Sequence, residues 1–190
     1  MLFGEPLEEI EIEEKYSKEW EKHPMRKPYL KEVILNAAVG ESGPRFERAK
    51  TILSQITGRV PSERPAKKSI RDFGIRKGEP IAAIVTLRGE EAKEMLDRCL
   101  YAKDYIIKQK AFDQQGNFSF GITEHVDIRD APFDPMLGTI GFNVVVKLER
   151  PGYRLKYRRN QRKKIPKKHL ITKEEAMEFA SKEFNIKIVK

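Results

Sequence analysis

Four side chains of types used in acid-base or metal chemistry fall close together: Glu124, His125, Asp127 and Asp130. A carboxylate beside an imidazole can pass a proton or hold a divalent cation, provided the groups converge. The surrounding residues alternate as a β-strand does, which sends Glu124 to the side opposite His125 and Asp127. Convergence would then need a bulge or partners from elsewhere, and the plainer reading is a set of surface residues on a polar sheet face. Gly40-Glu41-Ser42-Gly43 lacks the Lys and Ser/Thr of a phosphate-cradling loop, and Gly74 to Gly78 matches no better. A single cysteine, Cys99, excludes an internal disulfide and a multi-cysteine zinc site, and His23, His125 and His169 stand far apart.

Two basic stretches carry a different chemistry. Residues 64–80 hold six basic side chains against Asp72 and Glu79, punctuated by Gly74 and Gly78. This reads as a basic loop or hairpin whose cations can follow irregular phosphates, with Phe73 and Ile75 able to pack on a sugar or base. The bland alternative is a solvated charged loop. Residues 150–168 hold ten basic side chains and no acidic one, with Tyr153 and Tyr157 interleaved. Such a run repels itself until phosphates neutralise it, and its tyrosines are candidates to stack on exposed bases. The alternative, a solubilising tail, fits poorly with a run placed between a strand and a capped helix.

The whole-chain balance agrees. Lys and Arg outnumber Asp and Glu by 38 to 29, for a net charge of +9, and 35% of residues are charged against roughly 25% in an ordinary soluble domain. That favours a polyanionic partner, RNA or DNA before a membrane. The longest uncharged runs are far short of a bilayer span, and the N-terminus lacks the pattern of a signal peptide, so the expectation is an intracellular protein.

The elements that must position these residues alternate between helical and strand periods. Leu30 to Val39 reads as a strand closed by a glycine turn, and Pro44 opens a helix with Phe46, Ala49, Ile52, Leu53 and Ile56 on one face, stopped at Gly58. A second helix is predicted from Glu90 to about Lys108. Ile81 to Arg88, Phe118 to Ile128 and Thr139 to Arg150 alternate as strands. Thr172 and Glu175 are spaced as a capping box for a helix with Ala176, Met177, Ala180 and Phe184 on its apolar face, and Ile186 and Ile188 suggest an edge strand. The acidic stretch around Trp20 reads as a solvated surface helix. The expected fold class is α+β: a two-layer, largely antiparallel sheet with helices packed on one face and a polar opposite face free to meet RNA.

Several motifs in order then carry a resemblance: Val33-Ile34-Leu35-Asn36-Ala37-Ala38-Val39-Gly40, Ala66-Lys67-Lys68-Ser69-Ile70, Lys77-Gly78-Glu79-Pro80-Ile81, Val85-Thr86-Leu87-Arg88-Gly89, Phe112-Asp113 with Gly116-Asn117-Phe118, and the Gly138 to Val146 segment. Over about residues 24 to 150 the chain resembles the large-subunit ribosomal protein five family, and its basic run and capped helix resemble the archaeal and eukaryotic branch. The resemblance implies a structural constituent of the central protuberance, not an enzyme, with no cofactor or metal and a cytoplasmic, ribosomal location. Its implied partners are 5S rRNA, large-subunit rRNA, P-site tRNA, large-subunit ribosomal protein eighteen and a small-subunit head protein, with no membrane. By position Asn36, Thr86 and Arg88 match the family's RNA-facing residues, and Arg59 stands where many members have Gln. Lys147 on the polar face of the last strand and Arg154, Lys156, Arg158 and Arg159 of the basic run complete the expected ribosomal RNA set. Lys67, Lys68, Arg71, Arg76 and Lys77 form the expected tRNA contact.

The corresponding division is an acidic N-terminal extension (1–23), an α+β RNA-binding domain (24–150) and a basic C-terminal extension with a short capped helix (151–190). Two other readings remain open on sequence alone. An RNA-processing or RNA-modifying enzyme requires one polar cluster to converge in a pocket, and a basic protein-interaction module requires affinity for a protein partner that survives high salt.

Overall fold

A computed structural model describes residues 16–190. Most of the acidic N-terminal extension therefore lies outside the described residues. In chain order the elements are α1 (Ser17–Lys22), β1 (Tyr29–Ala38), α2 (Pro44–Thr57), β2 (Ser62–Pro65), β3 (Pro80–Leu87), α3 (Glu90–Tyr101), β4 (Ile106–Lys108), β5 (Phe118–Ile122), β6 (Phe142–Glu149), α4 (Arg154–Tyr157), α5 (Lys173–Phe184) and β7 (Lys187–Val189). Five strands hydrogen-bond in the order β2-β3-β1-β6-β5, with β3 antiparallel to both β2 and β1, while β4 and β7 form a separate parallel pair. This is the anticipated α+β class. The chain divides into two compact units: one takes the N-terminal segment through Glu32, Lys103–Ser119 and Val146–Lys190, the other Val33–Ala102 and Phe120–Val145.

In the second of these, the pleat sets the design. Val33 opposes Leu87, Leu35 opposes Val85 and Ala37 opposes Ala83, and all six are buried. Phe46, Ala49, Ile52, Leu53 and Ile56 of α2 and Ala92, Met95, Leu96, Cys99 and Leu100 of α3 join them to form the core. Each such large apolar side chain contributes roughly 1.5–3 kcal/mol of burial. Pro44 at the first turn and Gly58 in the left-handed region delimit α2 as expected. The opposite pleat carries Ile34, Asn36, Thr86 and Ile84, all half-buried.

The other unit is held together by an unusual share of buried charge. Thr172 Oγ1 accepts from Glu175 N at 3.3 Å, as the capping spacing predicted. The Glu175 carboxylate, however, pairs with Arg150 and accepts the Trp20 indole N–H at 3.0 Å instead of reaching back to the cap. Glu178 accepts the backbone N–H groups of Tyr16 and Ser17, each at 2.9 Å. The expected solvated helix around Trp20 is thus corrected: α1 is docked, with Trp20 buried edge-on to Phe179. Gly116, at φ +80°, passes so close to Ile171 that a Cβ there would lie 2.5 Å from its Cγ2.

Three boundaries differ from the sequence expectation. The second helix stops at Tyr101 because Asp104 and Tyr105 turn left-handed, at φ +51° and +58°, and Ile106–Lys108 becomes β4. The strand begun at Phe118 ends at Ile122, followed by a single 3-10 turn over His125–Asp127, and the last strand starts at Phe142. The short edge strand β2 was not anticipated.

Candidate nucleic-acid interface

Asn36 sits on the open pleat of β1, opposite Ile84, while Thr86 opposes Ile34, so the two polar side chains are diagonal neighbours across the β1–β3 ladder. The Asn36 Oδ1 is shielded and has no hydrogen-bond partner among the described residues. A buried polar atom of that kind is uncommon and costly unless something satisfies it. An amide oxygen accepts, so its natural complement is a hydroxyl such as the ribose 2′-OH, and turning the amide over offers its N–H groups to a phosphate instead. Arg88 follows β3 directly and is exposed beside Gly89 at the start of α3. Arg59, just past the left-handed Gly58, is exposed and pairs with Glu91 at 2.6 Å. The same unit also contains a cleft of about 310 Å3 lined by Arg45 and Arg48 of α2 and by residues Leu137–Gly141, whose only sequence signal was the three-residue spacing of the arginines.

The basic segment 64–80 folds as a braced hairpin. Ile70 and Ile75 exchange backbone hydrogen bonds of 2.9 and 3.1 Å around a turn closed by left-handed Gly74. At its base Ala66 N donates to Glu79 O at 2.8 Å and Gly78 N to Ala66 O at 2.9 Å. Ser69 Oγ accepts from Lys77 N and the Glu79 carboxylate from Arg76 N, so these polar side chains serve the hairpin itself. Lys67, Lys68, Arg71, Arg76 and Lys77 are all exposed, none of the five pairs with a carboxylate among the described residues, and Phe73 at the tip is 73% exposed. The structure therefore brings this set together on one projection.

The basic run after β6 is ordered by its own tyrosines. Tyr153 is buried: its hydroxyl donates to His169 O and accepts from Ile171 N, each at 3.2 Å, which fixes its ring within the fold. Tyr157 stays half exposed and donates to the Glu149 carboxylate. Lys147 lies over the Tyr157 ring, 5.2 Å from its centroid, and pairs with Glu32 at 2.9 Å and Glu149 at 3.5 Å. Burial works against its charge, but the hydrogen bonds to Glu32 and Tyr157 outweigh it and hold the Lys147 pKa well above the ordinary lysine value. Its cation is largely engaged within the protein. Arg158 donates from Nε and Nη2 to Gln161 O at 2.9 and 2.6 Å, fixing a turn, while Arg154, Lys156 and Arg159 are exposed. Lys156, Arg162, Lys163 and Lys164 surround a cleft of about 570 Å3, a grouping that no spacing in the run announced.

The acid-base candidates do not converge. His125 is only 1% exposed and turns inward with Ile122 and Ile128, whereas Glu124, Asp127 and Asp130 are exposed. His125 Nδ1 accepts from Ile140 N at 3.4 Å, and burial, the largest influence, lowers its pKa. The expected shared strand face of His125 and Asp127 is corrected by the 3-10 turn. Among the described residues no three potential metal ligands gather, and no helix is long and apolar enough to cross a membrane.

What fold and site define together is a basic α+β protein whose cations are grouped on a projecting hairpin and a C-terminal run, the class of surface that meets a polyanion. Comparison with known proteins makes this particular. The ribosomal protein L5 family matches residues 23–76, and the C-terminus of the same ribosomal family matches residues 80–179. The chain is 46% identical over 166 residues to the large ribosomal subunit protein uL5 of Pyrobaculum aerophilum, covering 87% of this chain and 93% of that protein. It is 47% identical over 168 residues to the uL5 of Sulfurisphaera tokodaii (88% and 95%) and 45% identical over 165 residues to that of Nitrosopumilus maritimus (87% and 95%). The chain belongs to the ribosomal protein L5 family.

Proposed function

We propose that this chain is a structural constituent of the large ribosomal subunit, that it binds 5S rRNA and neighbouring large-subunit rRNA, and that its hairpin reaches P-site tRNA. The observation that carries the reading is family membership spanning residues 23–179. The shielded Asn36 oxygen, without a partner among the described residues, supports it, as do the five hairpin cations that pair with no carboxylate among those residues. Asn36, Thr86 and Arg88 hold ribose and phosphate of 5S rRNA by shape and not by sequence. Arg59, Lys147, Arg154, Lys156, Arg158 and Arg159 form the remaining ribosomal RNA set. Of these, Arg59 must exchange Glu91 for a phosphate, and Lys147 acts chiefly by orienting Tyr157 and Glu149. Lys67, Lys68, Arg71, Arg76 and Lys77 serve tRNA. The chain sits in the central protuberance beside large-subunit ribosomal protein eighteen and contacts a protein of the small-subunit head, on cytoplasmic ribosomes.

The test is a titration of the full chain against 5S rRNA and against an unrelated folded RNA of similar length, over a series of salt concentrations. Both affinities fall with salt. The 5S complex is expected to remain tighter at every concentration, and superimposed curves would reduce the protein to a generic polycation.

A further inference from the structure

The cleft beside α4 has features that a surface for duplex phosphates does not need. Its volume, about 570 Å3, falls within the roughly 300–1,000 Å3 of small-ligand pockets. Leu148, Tyr153, Ile165 and Leu170 give it an apolar wall against which a flat ring can lie. Gln115 and Asn117 line the same space; the Asn117 amide donates to Asp113 at 2.9 Å, and the Gln115 carboxamide carries both the donor and the acceptor that a base edge requires. Around this apolar centre stand Lys156, Arg162, Lys163 and Lys164, none of which pairs with a carboxylate among the described residues. The acidic group in the lining, Glu149, is occupied by Tyr157, Lys147 and Lys31.

The wall is fixed in advance. Tyr153 is tied at its hydroxyl to His169 and Ile171, Lys163 N donates to Leu155 O at 3.3 Å, and Arg158 clamps the Gln161 carbonyl. A preformed concave site loses less ordering entropy on binding than a free basic tail would. Bases inside a helix are stacked and paired, and their faces cannot enter such a space, whereas a bulged or looped-out base can, with its flanking phosphates led past the cationic rim. We propose that this cleft captures an unpaired nucleotide of the bound RNA, the base against Leu148, Tyr153 and Ile165 and the adjoining phosphates on Arg162, Lys163 and Lys164. The inference rests on the RNA-binding reading above and names the form of RNA that this part of the chain selects.

The experiment uses the full chain with two probes, a fully paired RNA duplex and the same duplex carrying a two-uridine bulge, at matched salt. Two variants accompany it. Ile165→Glu puts a carboxylate into the cleft, and Gln161→Glu puts one on the same run outside the lining, as a control for net charge. Circular dichroism and the melting midpoint confirm that both fold. The wild type and Gln161→Glu are expected to prefer the bulged RNA by roughly tenfold, and Ile165→Glu to bind both RNAs alike, at the affinity Gln161→Glu has for the paired one. Equal affinity of the wild type for the two RNAs, or a preference that survives Ile165→Glu, overturns the proposal while leaving RNA binding intact. Failure of the wild type to bind either RNA at low salt removes the RNA-binding reading and the cleft's role together.

Discussion

Arg150 and Glu175 form an ion pair from which water is excluded, their side chains being 6% and 1% exposed. The same carboxylate accepts the indole N–H of Trp20, so one buried glutamate joins the end of β6, the start of α5 and α1. Removing one member of a buried pair leaves the other charge uncompensated, which costs about 3–5 kcal/mol. Glu175→Ala is therefore expected to destabilise the protein by about that amount in urea denaturation, and the fluorescence of its single tryptophan to shift to the red as Trp20 loses its anchor. Replacing both partners, as Arg150→Met with Glu175→Leu, is expected to recover most of the loss. A double variant as unstable as Glu175→Ala would show that the pair has no special standing.

His125 gives stability a pH dependence. Burial lowers its folded-state pKa below the ordinary 6.5, so the unfolded chain takes up a proton before the native one does. This contribution is fully present above pH 6.5 and declines as pH falls below that value towards the folded pKa. Protonation also removes the Nδ1 lone pair that accepts from Ile140 N. Unfolding midpoints in urea should fall between about pH 7.5 and about pH 5.5, and His125→Gln should flatten that decline; an unchanged slope would assign it to other groups.

Asn36→Ala separates binding from folding. The shielded Oδ1 lacks a partner among the described residues, so its removal is expected to leave stability unchanged or slightly raised. Affinity for 5S rRNA, measured by fluorescence titration, is expected to fall by about 1–3 kcal/mol, and Arg88→Ala to weaken binding by a similar amount. Wild-type affinity in both variants would take the β1–β3 face out of the interface.

Gly116 and Gly138 test steric fit against backbone strain. Both have positive φ, +80° and +71°, but a Cβ at 138 meets open space whereas one at 116 meets Ile171 and Ala176. Gly138→Ala is expected to cost roughly 1–2 kcal/mol from its left-handed backbone alone. Gly116→Ala adds the clash and should cost roughly 1–3 kcal/mol more. Equal losses in urea denaturation would mean that Ile171 yields without penalty.

Legibility followed the kind of force involved. The helix α2 could be read because Pro44, five apolar residues at helical spacing and Gly58 all point to the same element, and Thr172 with Glu175 marked the start of α5 for the same reason. The second helix overran because Ile106 and Ile107 continue the apolar period, and the left-handed turn at Asp104 and Tyr105 carries no Gly or Pro to warn of it. The edge strand β2 was invisible because all four of its residues are exposed, so no burial pattern is written into Ser62–Pro65. At the candidate site, the basic hairpin was evident from charge and glycine alone. The internal employment of Lys147, Tyr153 and Glu175 was not, since a composition of charges and tyrosines says nothing about which of them face each other. The cleft at Lys156, Arg162, Lys163 and Lys164 depends on a return of the chain that spacing does not encode.

The parallel pairing of β4 with β7 sets an order on synthesis. Ile106 pairs with Lys187, so a strand finished early must wait for a stretch made 81 residues later. The unit built from Val33–Ala102 and Phe120–Val145 has all its segments once Val145 has been translated. The other draws on Val146–Lys190 and lacks part of its core until those residues have been made. A nascent chain paused at Val145 thus holds every residue of the unit bearing the sheet face and the hairpin, while the buried charges of Arg150, Glu175 and Glu178 have yet to be made. The half with the apolar, locally wired core can fold first, and the half that depends on compensating ions closes over distant partners at the last.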